Sequence, residues 1–191
     1  MAAKVEPRVP RGMRDILPEQ MVRRQYVMDV IRGVFEEFGF EPLQTPALEH
    51  LDTLLGTGGE ETNKELFRLE TPEGEPIAMR FDQTVPFARM MAQYPDKLKA
   101  PFRRYAMGPV WRGDRPGPGR FREFTQIDME MTFVGQEDVF NVVEGLVSHM
   151  MSQVMNYAVP LPVRQMPYAE AVGRYGSDKP DLRFGLDFHD V

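Results

Sequence analysis

The stretch PFRRYAMGPVWRGDRPGPGRFREFTQIDMEMTFV, residues 101–134, constrains this chain more than any other. Two long runs of strand character flank a proline- and glycine-rich loop, so the segment reads as strand, loop, strand. In the second run Phe124, Gln126, Asp128 and Glu130 lie two apart, and side chains two apart share one face of a strand. A ring followed by three polar groups is the wrong chemistry for a dry core, so that face is a candidate binding surface. Arg112, Arg115, Arg120 and Arg122 surround the loop, which Pro116 and Pro118 stiffen. A planar guanidinium fork suits phosphate oxygens when a rigid turn keeps it oriented. The competing reading is a solvated hairpin whose arginines pair with Asp114 and Glu123, because surface ion pairs are common and weak.

The remaining chain alternates helices with short extended pieces. Residues 1–17 read as an irregular leader. From Pro18 a helix pattern places Val22, Tyr26, Val30, Val34 and Phe38 on a stripe widened by Ile31 and Phe35, and Gly39 closes it. FEPLQTP is extended, with Pro42 pointing to an edge or bulged strand. HLDTLLGTGGEETNKE is a helix start followed by a loop, in which TGGEET (57–62) is either a substrate-closing loop or a plain connection. LFRLETPEGEPIAMRF is a hairpin around Pro-Glu-Gly, and VPFARMMAQ is a helix. In RFDQT, Asp82 and Thr84 lie two apart and suit a ligand amine, although Thr84 also reads as a helix cap.

After residue 134, Glu137 and Asp138 open a helix with a stripe of Val139, Val143, Leu146, Val147, Met150 and Val154. A shorter helix ends at Gly176, and SDKPDLRFGL is expected to form a loop and then a strand. Met150, Met151 and Met155 read as soft core filler. The sum is an α+β fold with a largely antiparallel sheet flanked by helices.

Composition narrows the chemistry. Hydrophobic residues make up 42% and charged residues 27% of 191, an ordinary globular balance for one domain. A formal charge of −6 argues against nucleic-acid binding by bulk charge, so any such contact is local. There is no cysteine, hence no disulfide or thiolate metal site, and His50, His149 and His189 show no metal spacing. No apolar run reaches membrane-spanning length, and the expected location is cytoplasmic. Neither a Walker-type phosphate loop nor a nucleophile elbow is present.

These pieces together resemble a known family. The helix with GFEPLQTP (about 18–46) resembles motif 1 of class II aminoacyl-tRNA synthetases, and WRGDRPGPGRFREF, within about 102–134, resembles motif 2. Residues 11–124 are similar to histidyl-tRNA synthetase through RGMRDILPE, GFEPLQTPALE, LFRLE, MRFDQTVPFARMMAQ and PFRRYAMGPVWRGDRPGPGRFREF. Residues 123–190, with EFTQIDMEMTFVGQEDVFNVVEGL and MPYAEAVGRYGSDKPDLRFGL, resemble bacterial aspartyl-tRNA synthetase instead. The change near Phe124–Thr125 suggests a hybrid, an ancestral-type or engineered chain, or an unusual paralog.

The resemblance implies ATP-dependent activation of an amino acid, histidine first and aspartate second, with Mg²⁺. It implies Arg112 on the α-phosphate and the substrate carboxyl, Arg120 on the γ-phosphate, Phe124 against adenine, and Asp114 where the family's glutamate meets the adenine amino group. Asp82 and Thr84, with Gln126 and Glu130, would hold the substrate amino group; in the aspartyl pattern Asp128 does so. A homodimer through motif 1 and weak contact with a tRNA acceptor end are also implied. No counterpart of motif 3 or of an anticodon-binding domain is seen, so residues 1–191 are expected to be a single partial catalytic domain truncated before motif 3, of weak or absent activity. The alternative is a non-catalytic synthetase-like module that binds an amino acid or a partner.

Overall fold

The computed structural model describes residues 6–55, 59, 63–98, 100–114, 117 and 121–188. Helix α1 spans Pro18–Glu37, with proline in its first turn, where the missing amide hydrogen costs nothing. Gly39 follows at φ +74°, a backbone setting that favours glycine, and turns the chain into β1, Glu41–Pro42. Next come β2 (Leu48–His50), α2 (Leu51–Leu54), β3 (Arg68–Glu70), β4 (Pro76–Met79) and α3 (Thr84–Gln93). The long strands β5 (Arg103–Trp111) and β6 (Glu123–Met131) precede α4 (Gln136–Met155) and α5 (Tyr168–Tyr175).

Two three-stranded sheets result. One has the order β1-β5-β6, the other β2-β4-β3. All pairings are antiparallel except β1 with β5, so Pro42 does sit on an edge strand. An edge tolerates proline because one side of the strand makes no ladder bond.

Helices α1 and α4 cover one face of the β1-β5-β6 sheet. Ile31, Phe35, Phe40, Tyr105 and Val142 form the core there, and Met107, Met129, Met131, Leu146 and Met150 pack against it. Phe35 stacks on Tyr105 with ring centroids 5.0 Å apart. The expected stripes are met in part. The expected α1 stripe holds at its C-terminal half, where Ile31, Val34 and Phe35 are buried, and fails at its N-terminal half, where Val22 and Tyr26 are 71% and 52% exposed. On α4 the buried line runs through Val142, one residue before Val143, which faces a groove against Val163 and Met166. Met150 packs as expected, whereas Met155 is exposed. Residues 177–188 form no strand, contrary to expectation, although Gly176 closes α5 at φ +67°.

The second sheet has its own small core of Leu54, Leu66, Ala78 and Phe81. Arg80 fastens this unit to the first sheet. It is 4% exposed, and its guanidinium donates to the carbonyls of Thr45 at 2.7 Å and Pro109 at 3.0 Å. Its own carbonyl accepts the Trp111 amide at 3.0 Å. Glycine at 108 makes this approach possible, since a Cβ there would lie 3.0 Å from Arg80 Nη2 and 3.1 Å from Gln83 Nε2.

Candidate active site

The face of the β1-β5-β6 sheet away from α1 and α4 carries the polar row. Antiparallel register sets Arg104 opposite Glu130, Ala106 opposite Asp128, Gly108 opposite Gln126 and Val110 opposite Phe124. Small residues on β5 thus leave room over the polar groups of β6. The N-terminal end of α3 and the RFDQT segment lie over the same face, because Arg80 ties that segment to β5.

At one end of the face, Arg112 donates from Nε to the Phe81 carbonyl at 3.1 Å, and its guanidinium lies 5.1 Å from the centre of the Phe124 ring. Its terminal nitrogens make no hydrogen bond among the described residues. Nearby, Asp114 Oδ1 and Gln126 Oε1 are buried with no hydrogen-bond donor among the described residues, while Asp128 Oδ2 has only the charge of Arg104 beside it. A buried acceptor without a partner is costly, so the first two atoms are where a ligand's N–H groups would be welcomed. Among the described residues Arg122 pairs with no carboxylate; its Nε donates to the Asp114 carbonyl at 3.1 Å, and Glu123 accepts the Trp111 indole N–H at 2.9 Å. The leader joins in as well: Arg122 donates its amide to the Gly12 carbonyl at 2.7 Å, and Arg14 lies over Phe121. Arg115, Pro116, Pro118 and Arg120 lie outside the described residues, as does most of TGGEET.

The centre of the face is acidic. Burial raises the Asp82 carboxyl above its ordinary value, opposed by the Val85 amide it accepts at 3.1 Å and by the charges of Arg112 and Arg104; Glu130 adds to the rise. Asp82, one residue before the N-cap Gln83, thus accepts a first-turn amide of α3, and Thr84 is the first residue of that helix and not its cap. Both line a cavity of about 490 Å³ with Thr53, Val85, Ala88 and Arg89. Burial also raises Asp128, opposed by Arg104 and reinforced by Glu130 and Asp82. Asp128 and Glu130 lie 2.7 and 4.0 Å from Arg104 Nη2. The Gln126 amide nitrogen approaches Asp128 Oδ1 at 3.4 Å.

The structure thus brings Asp82, Arg112, Phe124, Gln126, Asp128 and Glu130 to one face. Arg104 and Gln83 join them, and the sequence reading passed over both. Arg104 had a readable signal: a strand arginine whose position alternates onto the same face as an acidic row. Gln83 had none, as its contribution is a backbone carbonyl, 3.2 Å from Arg104 Nη2. Among the described residues no group of three or more histidine or acidic side chains is arranged to hold a metal ion, so Mg²⁺ is assigned no protein ligands. No described helix is long and apolar enough to cross a membrane.

An α+β domain with helices flanking its sheets and a strand-loop-strand bearing arginine and an aromatic ring is the architecture of a class II aminoacyl-tRNA synthetase catalytic domain. Solved structures agree: histidyl-tRNA synthetase from Nostoc sp. PCC 7120 superposes at a TM-score of 0.65 and 31% identity, covering 76% of this chain and 34% of that one. Histidine–tRNA ligase from Rhodopirellula baltica is 48% identical over 126 residues, 66% of this chain and 28% of the relative. The Treponema denticola ligase is 44% identical over 130 residues, 68% and 29% of the two chains. The sequence model for histidyl-tRNA synthetase matches residues 12–161. The chain belongs to the histidyl-tRNA synthetase family. It spans less than a third of the length of these two curated relatives. The family match runs without a break past Phe124–Thr125, where the resemblance to aspartyl enzymes begins, so the comparisons support a histidyl assignment and give no aspartyl segment.

Proposed function

We propose that this face binds ATP and histidine and forms the aminoacyl-adenylate. One observation carries the reading: Arg112, whose terminal nitrogens make no hydrogen bond among the described residues, stands between an aromatic ring and an acidic pocket whose Gln126 Oε1 is buried with no donor among those residues. Arg112 would hold the α-phosphate and the substrate carboxylate together, with adenine against Phe124 and its amino group toward Asp114 Oδ1. Arg120 is the proposed contact of the γ-phosphate. A carboxylate oxygen of the amino acid bonds to the α-phosphorus as the bond to the bridging oxygen of the β-phosphate breaks, and pyrophosphate leaves with that electron pair. No enzyme nucleophile is required; the protein contributes alignment and charge stabilisation. Mg²⁺, when bound with the nucleotide, supplies further charge neutralisation on the phosphates.

Charge favours histidine over aspartate. Among the described residues the pocket has three cations, Arg89, Arg104 and Arg112, against Asp82, Asp128 and Glu130, and Arg89 is held by Glu49 at 2.6 Å. Arg104 is already held by Asp128, and Arg112 is needed for the substrate carboxyl, so no cation is left for an acidic side chain. The acidic groups and Gln126 Oε1 suit an ammonium and an imidazole N–H instead. Aspartate stays second because of the aspartyl-like wording of residues 123–190; the idea of a hybrid rests on that wording alone. Contact with a tRNA acceptor end belongs to the same proposal. So does a homodimer through α1, which exposes Met21 and Val22, with Leu17 exposed just before it. Pyrophosphate exchange with each amino acid is the test: histidine should support more exchange than aspartate, and the reverse order would overturn the assignment.

A further inference from the structure

We infer that Arg104 is a positioning residue for the amino-acid pocket: it engages Asp128 and thereby leaves Asp82, Gln126 and Glu130 as the acceptors open to the substrate. The inference rests on the proposed amino-acid site and concerns a residue that contacts no substrate in that reading.

The geometry is that of a clamp. Arg104 has a side chain only 1% exposed, and its guanidinium lies 4.2 Å from the centre of the Phe87 ring on α3. Nη2 donates to the Gln83 carbonyl at 3.2 Å just before that helix. Stacking fixes the plane of the fork and the carbonyl fixes its rotation, so its position is set before any substrate arrives. From there Nη2 stands 2.7 Å from Asp128 Oδ2, while Glu130 Oε1 is 4.0 Å away, beyond hydrogen-bond reach. Arg104 therefore forms its close ion pair with one carboxylate, without an aligned hydrogen bond to Oδ2, and acts on the other only by longer-range charge.

That choice has consequences for the ligand. Without Arg104, the buried carboxylate of Asp128 would be left uncompensated beside Asp82 and Glu130, and burying an unpaired charge is expensive. Without Asp128, Arg104 would turn its charge on Glu130 and compete with the substrate ammonium. Either loss spoils the pocket, and removal of both restores it. A merely fold-stabilising pair would behave differently, because its loss would lower stability and weaken all ligands together.

Calorimetry on the full chain, with histidine and ATP titrated separately, tests this in Arg104→Met, Asp128→Asn and the double variant. Each single change should weaken histidine binding at least about tenfold, while the double variant recovers most of it. ATP affinity should stay within about twofold throughout, since Arg112 and Phe124 are untouched. Single variants that bind histidine like the parent, losses that add in the double variant, or ATP affinity falling in step with histidine would each overturn the inference. Should Arg104→Met fail to fold by circular dichroism, Asp128→Asn decides alone, because it leaves the Phe87 stack in place; unchanged histidine affinity in that variant defeats the inference. A parent chain that binds no histidine would remove the proposed amino-acid site itself, a result distinguishable from variants that match a binding parent.

Discussion

Replacing Arg80 by methionine probes the joint on which the site's geometry depends. The guanidinium makes two short bonds, to the Thr45 and Pro109 carbonyls, and two longer ones of 3.3 Å to Thr45 Oγ1 and the Pro46 carbonyl. Hydrogen bonds from a charged donor contribute roughly 1.5–3 kcal/mol each, and the carbonyls they leave behind are short of donors. Against this stands the relief of no longer burying a charge, together with the apolar packing of methionine. The net loss should be about 3 kcal/mol, which lowers Tm by about 6–12 °C in a chain of this size. The residue after Arg80 supplies the carbonyl that Arg112 uses, and the next is Asp82, so histidine affinity should fall even well below the melting temperature. Circular dichroism melts and a histidine titration at low temperature report both effects. A Tm within about 2 °C of the parent, with histidine affinity intact, would refute the view that Arg80 joins the two sheets around the site.

Other substitutions separate the ligands from one another. Phe124→Ala should weaken ATP by the roughly 1–3 kcal/mol of one base-stacking contact, with histidine affinity nearly unchanged, as read by parallel titrations. Asp82→Asn should raise Tm at neutral pH while weakening histidine binding. The sign follows from burial, which raises the Asp82 pKa in the folded chain. The folded state then holds the proton more tightly than the unfolded one, so the ionised group opposes folding once the pH passes the ordinary carboxylate value. The destabilisation is absent well below that value and complete above the folded pKa, so the Tm gain of Asp82→Asn should vanish in acid; melts between pH 3 and 8 check the direction.

Much of this site was legible in the sequence because strands advertise themselves by alternation. Phe124, Gln126, Asp128 and Glu130 share a face for no reason beyond their spacing, and the register confirms it. The stripes on α1 and α4 were legible where Ile31, Val34, Phe35, Leu146 and Met150 pack, and misleading where Val22, Tyr26 and Val143 are exposed. An apolar pair such as Val22 and Tyr26 looks the same whether it meets a sheet or faces outward, and only tertiary contact separates it from Ile31 and Phe35 on the same expected stripe. Likewise the strand expected near Phe184 needs a partner strand, and none of the described residues supplies one. Asp82 as the acceptor of a first-turn α3 amide, in place of Thr84, was decided by backbone geometry three residues away. Buried arginines are the hardest to anticipate: Arg80 reads as an ordinary surface charge until carbonyls close around it, and alternation puts Arg104 on the acidic face without showing the Phe87 ring that buries it.

The most direct measurement is calorimetric titration of ATP into the parent chain and into Arg112→Ala. The substitution removes the guanidinium that lies by Phe124 and leaves the β5–β6 ladder intact. The parent should release binding heat that the variant has lost at least about tenfold in affinity, with both proteins equally folded. Equal heats from the two proteins would contradict an adenylate-forming site built on Arg112 and favour a module that binds without using ATP.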